Sequence, residues 1–163
     1  MTNMRHTISV IVENKPGVLS RVSGLFSRRG FNIESLAVGT TENPSMSRMT
    51  IVVEGDERDL EQITKQLYKL VDTLKVFDLP AEKAIERELV LIKVAANDKA
   101  RKEITEIVDI FRGKIVDVAE TSLTIEITGD ESKVQGAEKL LSKFGIKELV
   151  RTGKIALQRG SAE

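Results

Sequence analysis

A short segment near the N-terminus combines residue types that could hold a small anionic molecule. Asn14-Lys15-Pro16-Gly17 lies between an alternating apolar run and a run with helical spacing. Proline in the first turn of a helix removes an N–H group that would lack a partner anyway, and glycine lets a ligand approach the backbone. The remaining N–H groups and the helix dipole favour a carboxylate. The segment predicts either such a site or simply a Pro-Gly turn before a helix.

The spacing of apolar residues predicts a βαββαβ unit around this segment. Strands are expected over 7–13, 31–38, 49–53 and 74–79. The predicted core-facing positions of the two helices are Val18, Leu19, Val22, Leu25, Phe26, Leu60, Ile63, Leu67, Leu70 and Val71. Gly30 is expected to end the first helix in the left-handed conformation. The apolar phase slips by one residue between Ile33 and Leu36, which predicts a β-bulge.

The second half of the chain repeats this order of elements. The phrase "EGDERDLEQI" corresponds to "TGDESKVQGA", and "LFSRRGFNIES" corresponds to "IFRGKIVDVAE". A repeated βαββαβ unit predicts an α+β protein with two ferredoxin-like sandwiches in tandem, each a four-stranded antiparallel sheet with two helices on one face. The predicted domains span 1–79 and 88–163, and the polar segment 80–87 is interpreted as a linker.

The repeat also provides a comparison for the segment at 14–17. The matching junction, "ANDKARKE", contains an asparagine but no Pro-Gly pair. If the fold itself required the Pro-Gly pair, both halves would have it. Its presence in the first half alone favours a binding site there.

Longer motifs resemble those of a known family. "ENKPGVLSRVSGLFSRRGFNIESL" resembles the signature of an ACT domain, a small regulatory module that binds amino acids. Together with "SRMTIVVEGDE", "QLYKLVDTLKV" and "IFRGKIVDV", it makes essentially the whole chain similar to the regulatory (small) subunit of acetohydroxyacid synthase, also called acetolactate synthase. The resemblance implies that the domain at 1–79 is an ACT domain.

This resemblance implies a non-catalytic regulatory subunit of branched-chain amino-acid biosynthesis. Such a chain activates a separate catalytic subunit and mediates feedback inhibition by valine, or by leucine or isoleucine. Thiamine diphosphate, magnesium and FAD are expected on the catalytic partner and no cofactor in this chain, which has neither a Gly-rich dinucleotide loop nor a phosphate loop. No catalytic residue is therefore expected.

The resemblance also implies a homodimer with the effector at its interface. Asn14 and the backbone of Gly17 and Val18 would contact the effector from one protomer, and Asn32 and the backbone of Ile33 from the other. The implied effector-binding residues are Asn14, Pro16, Gly17, Val18, Leu19, Asn32, Ile33 and Leu36. The strand that carries Asn32 and Ile33 is expected to lie at a sheet edge, since it must approach the second copy.

Two alternative functions share the βαββαβ order. An RNA-binding module would need aromatic residues on its central strands, but "SMSRMTIVVEG" contains none. A small acylphosphatase would use an arginine after the first strand, and Arg21 is the candidate. Acyl phosphate hydrolysis that is lost in Arg21→Ala would favour the enzyme.

Composition narrows the remaining possibilities. The 25 basic and 25 acidic residues balance, so no overall field favours nucleic acid or a membrane surface. The chain has no cysteine, and its single histidine, His6, is interpreted as incidental. The acidic cluster "GDERDLE" is better explained by a helix start than by a metal site. No signal sequence, transit sequence or membrane span is expected, so the predicted location is the cytoplasm.

Overall fold

The computed structural model describes residues 4–160 of the 163. Its first six elements are β1 (Met4–Glu13), α1 (Val18–Arg28), β2 (Ile33–Thr40), β3 (Met46–Gly55), α2 (Glu57–Tyr68) and β4 (Thr73–Asp78). The strands form a four-stranded antiparallel sheet in the order β2-β3-β1-β4. The predicted edge position of β2 is confirmed. The predicted bulge is also confirmed, because the register shifts between Ile33 and Ser35.

The next elements repeat this arrangement. They are β5 (Ala84–Ala95), α3 (Asp98–Ile110), β6 (Lys114–Val118), β7 (Ser122–Gly129), α4 (Glu131–Ser142) and β8 (Ile146–Arg151). These strands pair in the order β6-β7-β5-β8, which matches the order in the first sheet. The predicted tandem of two ferredoxin-like βαββαβ sandwiches is confirmed.

The core of the first unit lies between one face of its sheet and its two helices. It comprises Ile8, Val10, Val12, Val18, Val22, Leu25, Phe26, Met49, Ile51, Val53, Ile63 and Leu67. The predicted core position of Leu19 is wrong, since the side chain is 46% exposed. Leu19 lies at the margin of the buried stripe of α1, about 20° beyond Phe26 around the helix axis. Val71 is also exposed, because α2 ends at Tyr68 and leaves it in a loop.

The second unit has its own core of the same kind. It comprises Val90, Ile92, Val94, Ala96, Ile104, Ile107, Val108, Leu123, Ile125, Ile127, Val134, Ala137 and Leu141. Each unit thus buries a separate set of aliphatic side chains, as a duplicated sandwich requires.

The division between the units differs from the predicted domain limits. Among the described residues, 4–85 form one compact unit together with 154–160, and Glu86–Gly153 form the other. The segment predicted as a linker contains a 3₁₀ turn (Ala81–Lys83) and the start of β5. Residues 1–3 and 161–163 of the predicted domains lie outside the described part of the chain.

The last strand, β9 (Ile155–Gln158), belongs to the first unit. Ala156 is buried in a small cluster with Leu79 and Ala84. The N–H of Arg159 donates to the carbonyl of Lys83 at 2.8 Å. β9 pairs with β5 and so adds a fifth strand to the second sheet, as its predicted place in the second half implies, but its residues group with the first unit.

Candidate functional site

The start of α1 differs from the starts of the other helices. Of the four α-helices in residues 4–160, only α1 has no side chain capping its first turn. Gly17 occupies the cap position with φ 83° and ψ −8°, a left-handed conformation that glycine adopts without steric cost. The N–H of Val18 donates to the carbonyl of Lys15 at 3.4 Å, and the first turn contains no acidic residue. An anion would therefore complement this helix end.

The other helix starts show what a purely structural junction requires. Asp56, Asn97 and Asp130 each accept the N–H of the residue three positions later, at 2.8–2.9 Å. The start of α2 is a reciprocal capping box, because Asp59 also accepts the N–H of Asp56 at 2.9 Å. The hydrogen bond that the Asp59 backbone N–H donates to the Asp56 carboxylate lowers the pKa of the Asp56 carboxyl. These capping contacts account for part of the acidic cluster, and residues 4–160 hold no group of histidine and acidic side chains suited to a metal ion.

The loop before α1 is fixed by the turn between β2 and β3. The backbone N–H of Asn14 donates to the carbonyl of Ser45 at 2.8 Å, and its side-chain amide donates to the carbonyl of Pro44 at 3.0 Å. Asn14, Lys15, Pro16 and Gly17 are all exposed. Asn14 therefore has a structural contact in addition to the effector contact that the resemblance implies.

A second contact fixes the loop from the other side. Arg21 Nε and the Asp72 carboxylate lie 2.8 Å apart, and the carbonyl of Asp72 accepts the N–H of Glu13 at 2.9 Å. The Asp72 side chain is 7% exposed and that of Arg21 is 48% exposed. Sequence analysis missed this pair, because its partners are 51 positions apart and no local pattern joins them.

Two ion pairs, Lys15 with Glu13 and Arg21 with Asp72, lie beside the start of α1. The Lys15 ammonium donates to the Glu13 carboxylate at 2.8 Å, and this hydrogen bond raises the pKa of the exposed Lys15 ammonium. Since each cation is paired with a carboxylate, the preference of this helix start for a ligand carboxylate depends on the positive end of the α1 dipole and on hydrogen-bond donors, and no net positive charge is required.

The remaining predicted site residues lie at the start of β2 or on α1. Asn32 is exposed directly before β2, after Gly30, whose φ of 75° confirms the predicted left-handed helix end. Ile33 and Leu36 are partly buried against the core of the first unit. Val18 is buried and can offer a ligand only its backbone, whereas Leu19 presents an exposed apolar side chain.

The described residues contain no helix that is long and apolar enough to cross a membrane.

Comparison with known proteins covers both units. The family model for the ACT domain of acetohydroxyacid synthase small subunits matches residues 8–75, and the model for the small subunit of acetolactate synthase matches residues 87–160. A probable acetolactate synthase small subunit of Archaeoglobus fulgidus is 60% identical over 97% of this chain and 99% of its own length. The acetolactate synthase small subunit of Mycobacterium leprae is 54% identical over 95% of this chain and 92% of its own length.

A solved structure shows the same fold over nearly the whole chain. The acetolactate synthase small subunit from Thermotoga maritima superimposes with a TM-score of 0.89 at 47% identity, covering 96% of this chain and 98% of that one. The matches to these relatives extend over both units. The chain therefore belongs to the family of acetolactate synthase small subunits.

Proposed function

We propose that this chain is a non-catalytic regulatory subunit that binds and activates a catalytic acetolactate synthase subunit and makes it sensitive to a branched-chain amino acid, valine first among them. The observation that carries the proposal is the uncapped, glycine-led start of α1 in the ACT unit. The chemistry would belong to the catalytic partner, for which thiamine diphosphate, magnesium and FAD are expected.

The groups at the start of α1 suit an amino acid. Its carboxylate would accept hydrogen bonds from the N–H groups of the first helical turn, favoured by the dipole. Its ammonium would donate to carbonyl oxygens or to the side-chain oxygen of Asn14. Its branched side chain would rest on Leu19, which is exposed at the same helix start. Valine has about eight heavy atoms, and even a site far below the maximum binding free energy per heavy atom would give about −5 to −6 kcal/mol. This corresponds to a dissociation constant of about 0.1 mM.

The second half of the site would come from another copy of the chain. Among the described strands, β2 and β4 are the edges of the first sheet. At β4, the Tyr68 hydroxyl accepts the N–H of Val76 at 3.0 Å and lies 3.5 Å from the carbonyl oxygen of Val76. The Tyr68 side chain thus covers the backbone groups of Val76 that face away from the sheet. Each edge strand carries one exposed large apolar side chain, Val38 on β2 and Leu74 on β4, so the covered backbone at β4 is what distinguishes the two edges. We therefore assign β2 to a twofold contact, which would bring Asn32 of one protomer towards the effector of the other.

Reconstitution with a catalytic subunit tests this function. The isolated chain is expected to show no acetolactate synthesis with or without thiamine diphosphate. Added to the catalytic subunit, it should raise turnover and introduce inhibition by a branched-chain amino acid. Calorimetric titration with valine, leucine and isoleucine ranks the effectors. Turnover and inhibition that do not change across a range of subunit ratios would contradict the proposal.

A further inference from the structure

We propose that Arg21 binds the carboxylate of the effector through its Nη groups and that Asp72 positions it to do so. This inference rests on the proposed function and assigns a residue that determines the class of ligand. The chemistry it selects is a free α-carboxylate, as opposed to an amide or an alcohol.

The first observation is that Asp72 holds the Arg21 guanidinium in place and leaves its Nη groups available. Its contact with Asp72 runs through Nε. A guanidinium has five N–H groups, and within residues 4–160 no hydrogen bond is made by Nη1 or Nη2 of Arg21. Because Asp72 is nearly buried, the anchor is held by the protein and does not depend on a mobile surface side chain. An oriented guanidinium with free paired donors matches the geometry of a carboxylate.

The second observation is where these donors lie. A Cβ atom placed on Gly17 would be 2.9 Å from Nη1 of Arg21. The backbone N–H of Arg21 also donates to the carbonyl of Gly17 at 3.0 Å. The free donors of the guanidinium are thus beside the uncapped start of α1. The Arg21 guanidinium and the N–H groups at the start of α1 would therefore bind the same carboxylate.

The third observation comes from the second unit, which contains a matched arginine. Arg101 is the fourth residue of α3, as Arg21 is of α1. Its Nη2 donates to the carbonyls of Ala119 and Glu120, the latter at 2.8 Å. The start of α3 is capped by Asn97. In the second unit, therefore, the arginine fastens a turn beside a capped helix, whereas in the first its Nη donors remain available beside an uncapped one.

A cycle that changes the residue and the ligand together tests the assignment. L-valine and L-valinamide are titrated by NMR, which reaches weak dissociation constants, into the full-length protein and its Arg21→Gln variant. Gln keeps a donor for Asp72 but has no charge. We expect Arg21→Gln to weaken valine binding by about tenfold to a hundredfold, the effect of one charge-assisted hydrogen bond. Valinamide, which lacks the carboxylate, should lose less than about twofold, well below the effect of such a bond.

The controls separate a ligand contact from a structural one. Arg101→Gln should leave the affinity for both ligands unchanged, and Arg21→Lys should restore part of the valine affinity, since it keeps the charge without the paired donors. Equal losses for valine and valinamide would show that Arg21 only maintains the fold, which would overturn this inference and leave the proposed function intact. If Arg21→Gln does not fold, the Arg21→Lys arm decides, because valine should again lose more than valinamide. A native protein that binds no branched-chain amino acid would overturn the proposed function itself.

Discussion

Position 17 has two independent reasons to be glycine. Its φ of 83° lies in the region that costs other residues about 1–2 kcal/mol. A Cβ there would also meet the Arg21 guanidinium at 2.9 Å, so that the side chain would have to shift. Gly17 thus supplies both a left-handed backbone conformation and open space at the proposed anion site. Substitutions with and without a charge at this position distinguish these two roles.

Gly17→Asp is expected to abolish most feedback inhibition while folding and activation of the catalytic subunit survive. The new carboxylate would occupy the effector's anion site and pair with Arg21, and acidic groups are tolerated at a helix start. Gly17→Ala carries the same backbone strain without the charge and should reduce inhibition less. Inhibition and turnover are measured in the reconstituted enzyme, with circular dichroism as the check of folding. Asp98→Ala, at the start of α3, should leave inhibition intact. Full inhibition in a folded Gly17→Asp protein would place the effector elsewhere.

Alanine substitutions of Asn14 and Asn32 should have similar effects on effector affinity but different effects on the free energy of unfolding. Each substitution by alanine is expected to weaken effector binding roughly twofold to tenfold, the effect of one neutral hydrogen bond. Asn14→Ala should also lower the free energy of unfolding by about 0.5–1.5 kcal/mol, since Asn14 donates to the Pro44 carbonyl. Asn32→Ala should not, because Asn32 is exposed. Calorimetry and urea unfolding give the two quantities. Additive losses in the double variant would argue against a shared ligand.

The two edge strands of the first sheet differ in how their outer backbone groups are covered. Tyr68 covers backbone groups of Val76 on β4, whereas β2 is the edge that we assign to a second copy. An uncovered edge strand readily pairs with another chain, and pairing two β2 strands across a twofold axis would remove that exposure. This asymmetry is the reason that we propose a dimer through β2 and not through β4.

Val38→Lys is expected to weaken the dimer. Pairing β2 with its copy brings like charges together near the axis, which is unfavourable. Sedimentation at micromolar concentration should show about twice 18.1 kDa for the native chain and a shift towards 18.1 kDa for the variant. Tyr68→Phe alters the opposite edge and should stay dimeric, with a loss of about 0.5–1.5 kcal/mol in unfolding free energy. An 18.1 kDa species for the native chain, or a Tyr68→Phe protein that dissociates, would refute this assignment of edges.

At the scale of the whole molecule, the second unit is connected to the first at both of its ends. The chain leaves the first unit after Ile85 and returns to it at Lys154. On its return, Ala156 packs against Leu79 and Ala84, and Lys154 N–H donates to Ser35 Oγ at 3.2 Å. The stability of the ACT unit therefore depends on residues at the far end of the sequence.

Ala156→Asp is expected to destabilise the first unit. Ala156 is 5% exposed in an apolar cluster, and burying an unpaired carboxylate there costs several kcal/mol or forces the strand away. Leu157 is 58% exposed, so Leu157→Asp is the matched control and should have little effect. Tyr68 is the single tyrosine in a chain without tryptophan and lies in the first unit, so its fluorescence during urea unfolding reports on that unit. Equal urea midpoints for the two variants would contradict the role of β9.

Features that depend on local periodicity and backbone chemistry were predictable from the sequence. These are the duplicated order of strands and helices, most of the buried faces, the bulge at the start of β2 and the distinctive helix start at Gly17. Each follows from residues within a few positions of one another, where side-chain direction repeats every two or 3.6 residues. The resemblance of the longer motifs then placed the chain in its family.

Contacts between residues far apart in the sequence were not predictable and became known from the folded structure. The pairing of Arg21 with Asp72, the covering of the β4 edge by Tyr68 and the return of β9 to the first unit all depend on how the loops close and the helices pack. Leu19 shows the same limit on a smaller scale, because apolarity alone does not say which side of a helix meets the core. Such contacts are set by register and packing across the whole domain, and no local pattern encodes them.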